Sequence, residues 1–225
     1  MHMQLFIDSS DPKEILCARE WGVIQGVTSN PSLIAKAGPD MRKTLDRILE
    51  ASPGQVFCQV IGWHDISPMV EQARWLHSYS DKIIVKLPFT VAGLQALQRL
   101  KAENRDRPIA MTAIASVAQA YLAAKCGADV AAVFNGPLDQ VLDQPVDIVG
   151  PIRTIFKNYG FTTKILSCGR FPRGFGEFAE AGTDICTLRF EFLKMLFEHP
   201  FTDKRMHGFT DDWRAVFGDA TWPKA

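Results

Sequence analysis

One lysine in this sequence of 225 residues lies where a lysine is least at home. Lys86 interrupts the apolar run Ile83-Ile84-Val85-Lys86-Leu87-Pro88, and lysines are almost never fully buried without a partner. Withdrawing the ammonium from water favours the neutral amine, which can attack a carbonyl and form an imine. The same position also suits a lysine that snorkels at a strand end or joins a structural ion pair. Asp8 closes the run Gln4-Leu5-Phe6-Ile7-Asp8 and could exchange a proton as general acid and base. Within Asp8-Ser9-Ser10-Asp11 it equally fits an Asx turn or a helix cap. Thr28-Ser29-Asn30-Pro31 is a dense polar cluster, suited to a ligand or to capping a helix that starts at Pro31. Gln59 and Thr112 are neutral hydrogen-bonding residues that could together hold one water for proton transfer. One lysine, one carboxylate and several neutral polar groups, with no metal-ligand spacing among them, form the set that imine chemistry needs.

Those residues matter only if the chain brings them together. Eight short apolar runs alternate with longer amphipathic stretches: 4–8, 25–28, 55–61, 82–87, 108–113, 129–134, 164–168 and 184–188. Most are rich in β-branched residues and apolar on both faces, as parallel strands covered on both sides must be. The stretches between them carry helix starts. Asp11-Pro12 supplies a cap and a first-position proline, Asp65 precedes SPMVEQARWLH, and Thr90 precedes VAGLQALQRLKAEN. Strict strand–helix alternation implies a parallel sheet, and eight units fit a closed (β/α)8 TIM barrel in one domain spanning 1–225. The alternative is an open doubly wound sheet. Such sheets usually carry a Gly-rich loop after the first strand, and Phe6-Ile7-Asp8-Ser9-Ser10-Asp11 is not one. In a barrel, strand C-termini build the active site. Here they deliver Asp8, Thr28 with Asn30, Gln59, Lys86, Thr112, Phe134, Cys168 and Arg189. The stretch 201–217 reads as one further helix whose aromatics need a surface to cover, on the barrel or on a neighbouring subunit.

The composition narrows the partners. Lys plus Arg and Asp plus Glu are both 25, so no net charge favours nucleic acid or an anionic membrane. Any anionic substrate must be met by a local site. The five cysteines are scattered and show no Cys-x-x-Cys, which suits free thiols in a reducing, cytoplasmic setting. An acidic residue falls within the first eight positions, so no secretory leader is expected there, and no apolar run approaches the ~20 residues that span a bilayer. No cofactor or metal is implied.

Several strings together carry a family resemblance. They are FIDSSD at 6–11, GVTSNPSLI at 26–34, FCQV at 57–60, IVKLP at 84–88, MTA at 111–113, RFPR at 170–173, HPFTDK at 199–204 and DWRAVFG at 212–218. On these the chain resembles, over essentially its whole length, the small transaldolase group that includes fructose-6-phosphate aldolase. The resemblance implies a metal-independent class I mechanism. Lys86 would form an imine with a ketose or dihydroxyacetone, and Asp8 would shuttle the proton at the hydroxyl where the carbon–carbon bond breaks. Asn30 would hold the three-carbon unit, Thr28 would shape the same wall, and Gln59 with Thr112 would position the catalytic water. It also implies a homo-oligomer, pentamer or decamer, with the C-terminal helix reaching over a neighbour.

The departures from the family pattern are as informative. Phe134 is transaldolase-like, because the aldolases of the group carry Tyr there, whereas Gln59 is aldolase-like. Losing a phenol beside Gln59 should slow imine hydrolysis and favour transfer of the three-carbon unit to an acceptor aldehyde. The family holds phosphate with an Arg after strand six and a Ser-x-Arg/Lys group after strand seven. Here the first position is Pro137 and the Ser is Cys168, while Arg170 survives. Arg189, at the end of strand eight, stands where a neutral residue is expected. It either replaces the missing cation or makes a surface or inter-subunit ion pair. A rearranged site could bind phosphate differently or take another anion, such as the sulfonate of a sulfo-sugar. Two other readings compete: a barrel that has lost catalysis and acts as a binding protein, and an isomerase in which Lys86 only steadies a phosphate.

Overall fold

The computed structural model describes residues 2–136, 138, 147–170 and 172–223. Eight parallel strands close on themselves in chain order, each paired with its neighbours and β1 paired with β8. They are β1 (Gln4–Asp8), β2 (Gly26–Thr28), β3 (Gln55–Gln59), β4 (Ile83–Pro88), β5 (Ile109–Ile114), β6 (Val130–Val133), β7 (Lys164–Gly169) and β8 (Ile185–Leu188). The described helices are α1 (Pro12–Glu20), α2 (Pro31–Lys36), α3 (Met41–Ala51), α4 (Ile66–Tyr79), α5 (Val91–Glu103), α6 (Val117–Lys125), α7 (Val149–Asn158), α8 (Pro172–Glu180), α9 (Phe190–Met195) and α10 (Pro200–Phe217). This is the expected (β/α)8 barrel. The third strand stops two residues short of the predicted 61, because Ile61 is held instead by Gln72 of α4. Gln72 Oε1 accepts from the Ile61 amide at 2.7 Å, and its Nε2 donates to the Ile61 carbonyl at 3.0 Å.

Two separate cores follow from the strand pleat, which sends alternate residues to opposite faces. The outward-facing residues, such as Ile7, Val27, Val85 and Leu188, pack against the helices. The inward-facing ones make a small plug of Phe6, Phe57, Ile84, Ala110, Val130, Ala132, Leu166 and Ile185. Phe6 and Phe57 meet edge to face at 5.7 Å. Phe6 pairs in register with Gly26, and a Cβ there would lie 2.4 Å from the Phe6 ring and 2.5 Å from the Gln55 carbonyl. A large ring beside a bare backbone is how a tapered barrel interior fills without voids.

The closed end of the barrel is clamped by side chains. Gln25, Asp129 and Asp184 each precede an even-numbered strand and accept an amide of the odd-numbered strand before it. The donors are Leu5 at 2.8 Å, Ile109 at 2.7 Å and Ile165 at 2.7 Å. Lys101 pairs with Asp129, and Arg153 with Asp184. At the opposite end, helix caps set the loop paths. Asp11, Asn30, Thr90 and Ser116 each accept an amide in the first turn of the following helix. Asp65 occupies the same position before α4, but its side chain makes no capping bond and lies exposed. No helix among the described residues is long and apolar enough to cross a membrane.

Candidate active site

One step of the pleat above the plug, every strand places its next inward residue at the barrel mouth. Phe6 is followed by Asp8, Gly26 by Thr28, Phe57 by Gln59, and Ile84 by Lys86. Ala110 is followed by Thr112, Ala132 by Phe134, Leu166 by Cys168, and Ile185 by Thr187. All eight line a single cavity of about 390 Å³, with Asn30, Ser32, Arg170 and Arg189 at its rim. The ten residues singled out from the sequence therefore share one site.

Lys86 is buried among these groups. Desolvation pulls its pKa below that of an ordinary lysine, while Asp8, Cys168 and Cys58 pull the other way. It takes part in none of the ion pairs found among the described residues. Burial pushes the Cys168 thiol up to about 11, with Asp8 adding and Lys86 and Arg170 opposing. Cys168 thus stays a protonated thiol at neutral pH and adds no negative charge to the mouth.

Asp8 is held by hydroxyls. Thr28 donates to its Oδ1 at 2.9 Å, and Thr28 and Thr187 share a hydrogen bond of 2.7 Å. The loop beneath is pinned by a Ser10–Ser29 bond of 2.6 Å and by the Ser9 amide, which donates to the Thr28 carbonyl at 3.1 Å. Asn30 serves both roles open to it: its Oδ1 accepts from Leu33 N at 3.1 Å, leaving the amide NH2 to donate within the cavity.

A bulge directly follows Thr112. The β5–β6 register shifts between Met111 and Ile114, and Ala113 has φ of 61°. An alanine in the left-handed region costs about 1 kcal/mol or more and persists where a side chain is being re-aimed. Arg170 runs over Gly136, where a Cβ would come within 2.6 Å of its Cγ, and its Nη1 donates to the Gly169 carbonyl at 3.0 Å. Pro137 itself lies outside the described residues. Arg189 is half exposed, with Glu191 Oε1 at 3.9 Å from Nη1. Cys168 pairs in register with Thr187 and Gly169 with Leu188, so Arg170 and Arg189 emerge side by side.

Two lining residues with polar side chains escaped the sequence reading, Ser32 and Thr187. The strand alternation that identifies the other mouth residues would have found Thr187, two places after the inward Ile185. A second cavity of about 430 Å³ opens at the closed end of the barrel, beside Asp129 and Lys164. A third, of about 310 Å³, lies between α2, α3, α4 and β3, and its walls are mostly apolar. Neither holds a buried lysine. Among the described residues no three His, Cys, Asp or Glu side chains are grouped to hold a metal ion.

The lowered pKa of Lys86 has a consequence for stability. Between that value and the ordinary 10.5, the unfolded chain binds a proton that the native chain does not, so stability rises with pH. Lys86→Met should therefore raise the melting temperature at pH 7, by about 2–4 °C per kcal/mol removed. The gain should shrink as pH approaches the ordinary lysine value. Melting curves of both proteins across pH check this, and a variant less stable at pH 7 would contradict it.

Comparison with known proteins agrees with the chemistry of the mouth. Residues 5–221 match the family model described as transaldolase/fructose-6-phosphate aldolase. A probable transaldolase of Coprothermobacter proteolyticus is 37% identical over 217 residues, covering 96% of this chain and 99% of that protein. One from Aquifex aeolicus is 37% identical over 215 residues, covering 95% and 98%. Another from Hydrogenobaculum is 39% identical over 215 residues, again covering 95% and 98%. With a lysine, a carboxylate and neutral hydrogen-bonding groups at the mouth of its barrel, this chain belongs to the transaldolase/fructose-6-phosphate aldolase family.

Proposed function

We propose that this transaldolase-type enzyme transfers a dihydroxyacetone unit between sugars through an imine on Lys86. The observation that carries the reading is a buried lysine with a lowered pKa in the same cavity as Asp8. The neutral Lys86 amine adds to the ketose C2 carbonyl, and loss of water gives the imine, which is protonated on nitrogen. Asp8 takes the proton of the C4 hydroxyl as the C3–C4 bond breaks. The aldehyde half leaves, and the bonding pair passes into the iminium to give an enamine. An acceptor aldehyde reverses these steps, Asp8 returning the proton to the new alkoxide. Asn30 holds the three-carbon unit, Thr28 shapes the wall beside Asp8, and Gln59 with Thr112 positions the water that forms and hydrolyses the imine.

Phe134 favours transfer, since its ring supplies no hydroxyl to that water. Gln59 favours the second reading, an aldolase that releases dihydroxyacetone. The anionic end of the sugar lies between Arg170 and Arg189, two cations emerging from adjacent strands, with Glu191 at 3.9 Å from Arg189. Phosphate is the anion the family reading favours, and a sulfonate is the alternative. All five cysteines are free, which fits a reducing cytoplasm.

We also infer a homo-oligomer, with the resemblance pointing to pentamers or decamers. No residue of α10 is buried, and Met206, Phe209, Val216 and Phe217 are all more than half exposed. Those residues recur at helical spacing, an apolar stripe of the kind that marks an interaction surface.

Three measurements test these readings. Borohydride with fructose 6-phosphate should fix a three-carbon adduct on the Lys86 peptide. Lys86→Met should give no adduct and lose roughly 10³-fold or more in kcat; an unlabelled wild type refutes the imine. Adding erythrose 4-phosphate before the reductant should deplete the adduct by transfer to a seven-carbon ketose phosphate, whereas release of free dihydroxyacetone would mark an aldolase. Arg170→Ala and Arg189→Ala should each raise KM for phosphorylated sugars by about 10- to 100-fold, the range of a charge-assisted hydrogen bond. kcat should change little, and an unchanged KM in both variants would remove the arginines from the site. Light scattering should give a multiple of the 25.1 kDa chain mass, reduced by Phe209→Glu; a monomeric wild type would end the oligomer reading.

A further inference from the structure

Asp8 is buried with no cation paired to it among the described residues. Its support comes from two threonines on the strands that flank β1. Thr28 Oγ1 donates to Asp8 Oδ1 at 2.9 Å, and Thr187 Oγ1 lies 2.7 Å from Thr28 Oγ1. Both threonines are almost wholly buried, with relative exposures of 2% and 1%.

We propose that Thr187 is a positioning residue for Asp8, acting through Thr28. This rests on the reading that Asp8 carries the proton during bond cleavage. The direction of the chain follows from counting hydrogens. A hydroxyl has one, and an ionised carboxylate can only accept. Thr28 gives its hydrogen to Asp8, so the hydrogen in the Thr28–Thr187 bond must come from Thr187. The chain runs Thr187 to Thr28 to Asp8, each bond polarising the next.

One function follows. Oδ1 is occupied, and among the described residues no hydrogen bond engages Oδ2, so Oδ2 takes the substrate proton. When Oδ2 is protonated, Oδ1 still accepts from Thr28, and neither threonine has to turn. A hydrogen-bond array that keeps one orientation in both protonation states costs no reorganisation during the reaction. Thr187 also lines the cavity.

Removing the Thr187 hydroxyl frees Thr28 to turn away from Asp8, and the loss should fall on bond cleavage. Thr187→Val should lower kcat for transfer from fructose 6-phosphate to erythrose 4-phosphate by roughly 5- to 30-fold, with KM within about 3-fold. Thr187→Ser, which keeps the donor, should recover most of it. The rate at which borohydride traps dihydroxyacetone on Lys86 should match wild type in both variants, a readout that general disruption of the site would lower. An unchanged kcat in Thr187→Val overturns the proposal, as does an equal loss in Thr187→Ser or a parallel loss of trapping. A wild type that traps nothing refutes the imine on Lys86 instead. The kcat values of the two variants then still decide the role of Thr187.

Discussion

A lysine held out of water can lower its free energy by losing its proton or by finding a carboxylate. The barrel offers Lys86 both, unequally. Desolvation dominates and pulls the pKa down, while Asp8 and two thiols return part of the shift. The order of those contributions determines what the mouth can do. A full ion pair would keep the ammonium protonated, and a protonated lysine is no nucleophile. Burial without any nearby carboxylate would leave nothing to move the hydroxyl proton.

That balance depends on the apolar plug beneath. Ile84 stands one pleat step below Lys86, and Phe6 one step below Asp8, so the interior under both groups is dry and filled. The strand register then decides which residues face one another. Gln59 lies beside Lys86, and Thr28 beside Asp8. A closed barrel has no edge strand that could slip, and a slip of one residue would turn every mouth residue into the helix layer. The stability of the plug and the electrostatics of the site are thus one property of the same eight strands.

Much of this was legible in the residues because strand alternation obeys a single rule. The eight strands fall within two residues of the expected ranges, and Lys86 is conspicuous because a charge interrupts Ile-Ile-Val. Asp8, Thr28, Gln59, Thr112 and Cys168 follow from the same period. The bulge at Ala113 left no mark, since the usual sign is a glycine and an alanine carries the strain here. Thr187 was overlooked because a threonine in a β-strand is unremarkable until its partners are known. Asp65 looked like a cap from its type and place, yet its carboxylate stays in solvent. The two arginines were readable individually, but their side-by-side placement needs the β7–β8 register.

Lysine and carboxylate make opposite demands on their surroundings, and the barrel meets both with uncharged neighbours. β4 is flanked by Gln59 on β3 and Thr112 on β5, which can hold water without restoring a charge to the amine. β1 is flanked by Thr28 on β2 and Thr187 on β8, which steady a carboxylate without a cation. Cys168 would be a second anion if it ionised, but burial keeps it protonated. The permanent cations, Arg170 and Arg189, emerge at the ends of β7 and β8, with β8 diametrically opposite β4 in a ring of eight strands. The permanent cations are thereby kept to the rim, where an anionic sugar end can neutralise them. The neighbours of the lysine and the carboxylate are uncharged, which suits the proposed step that creates and then discharges an iminium.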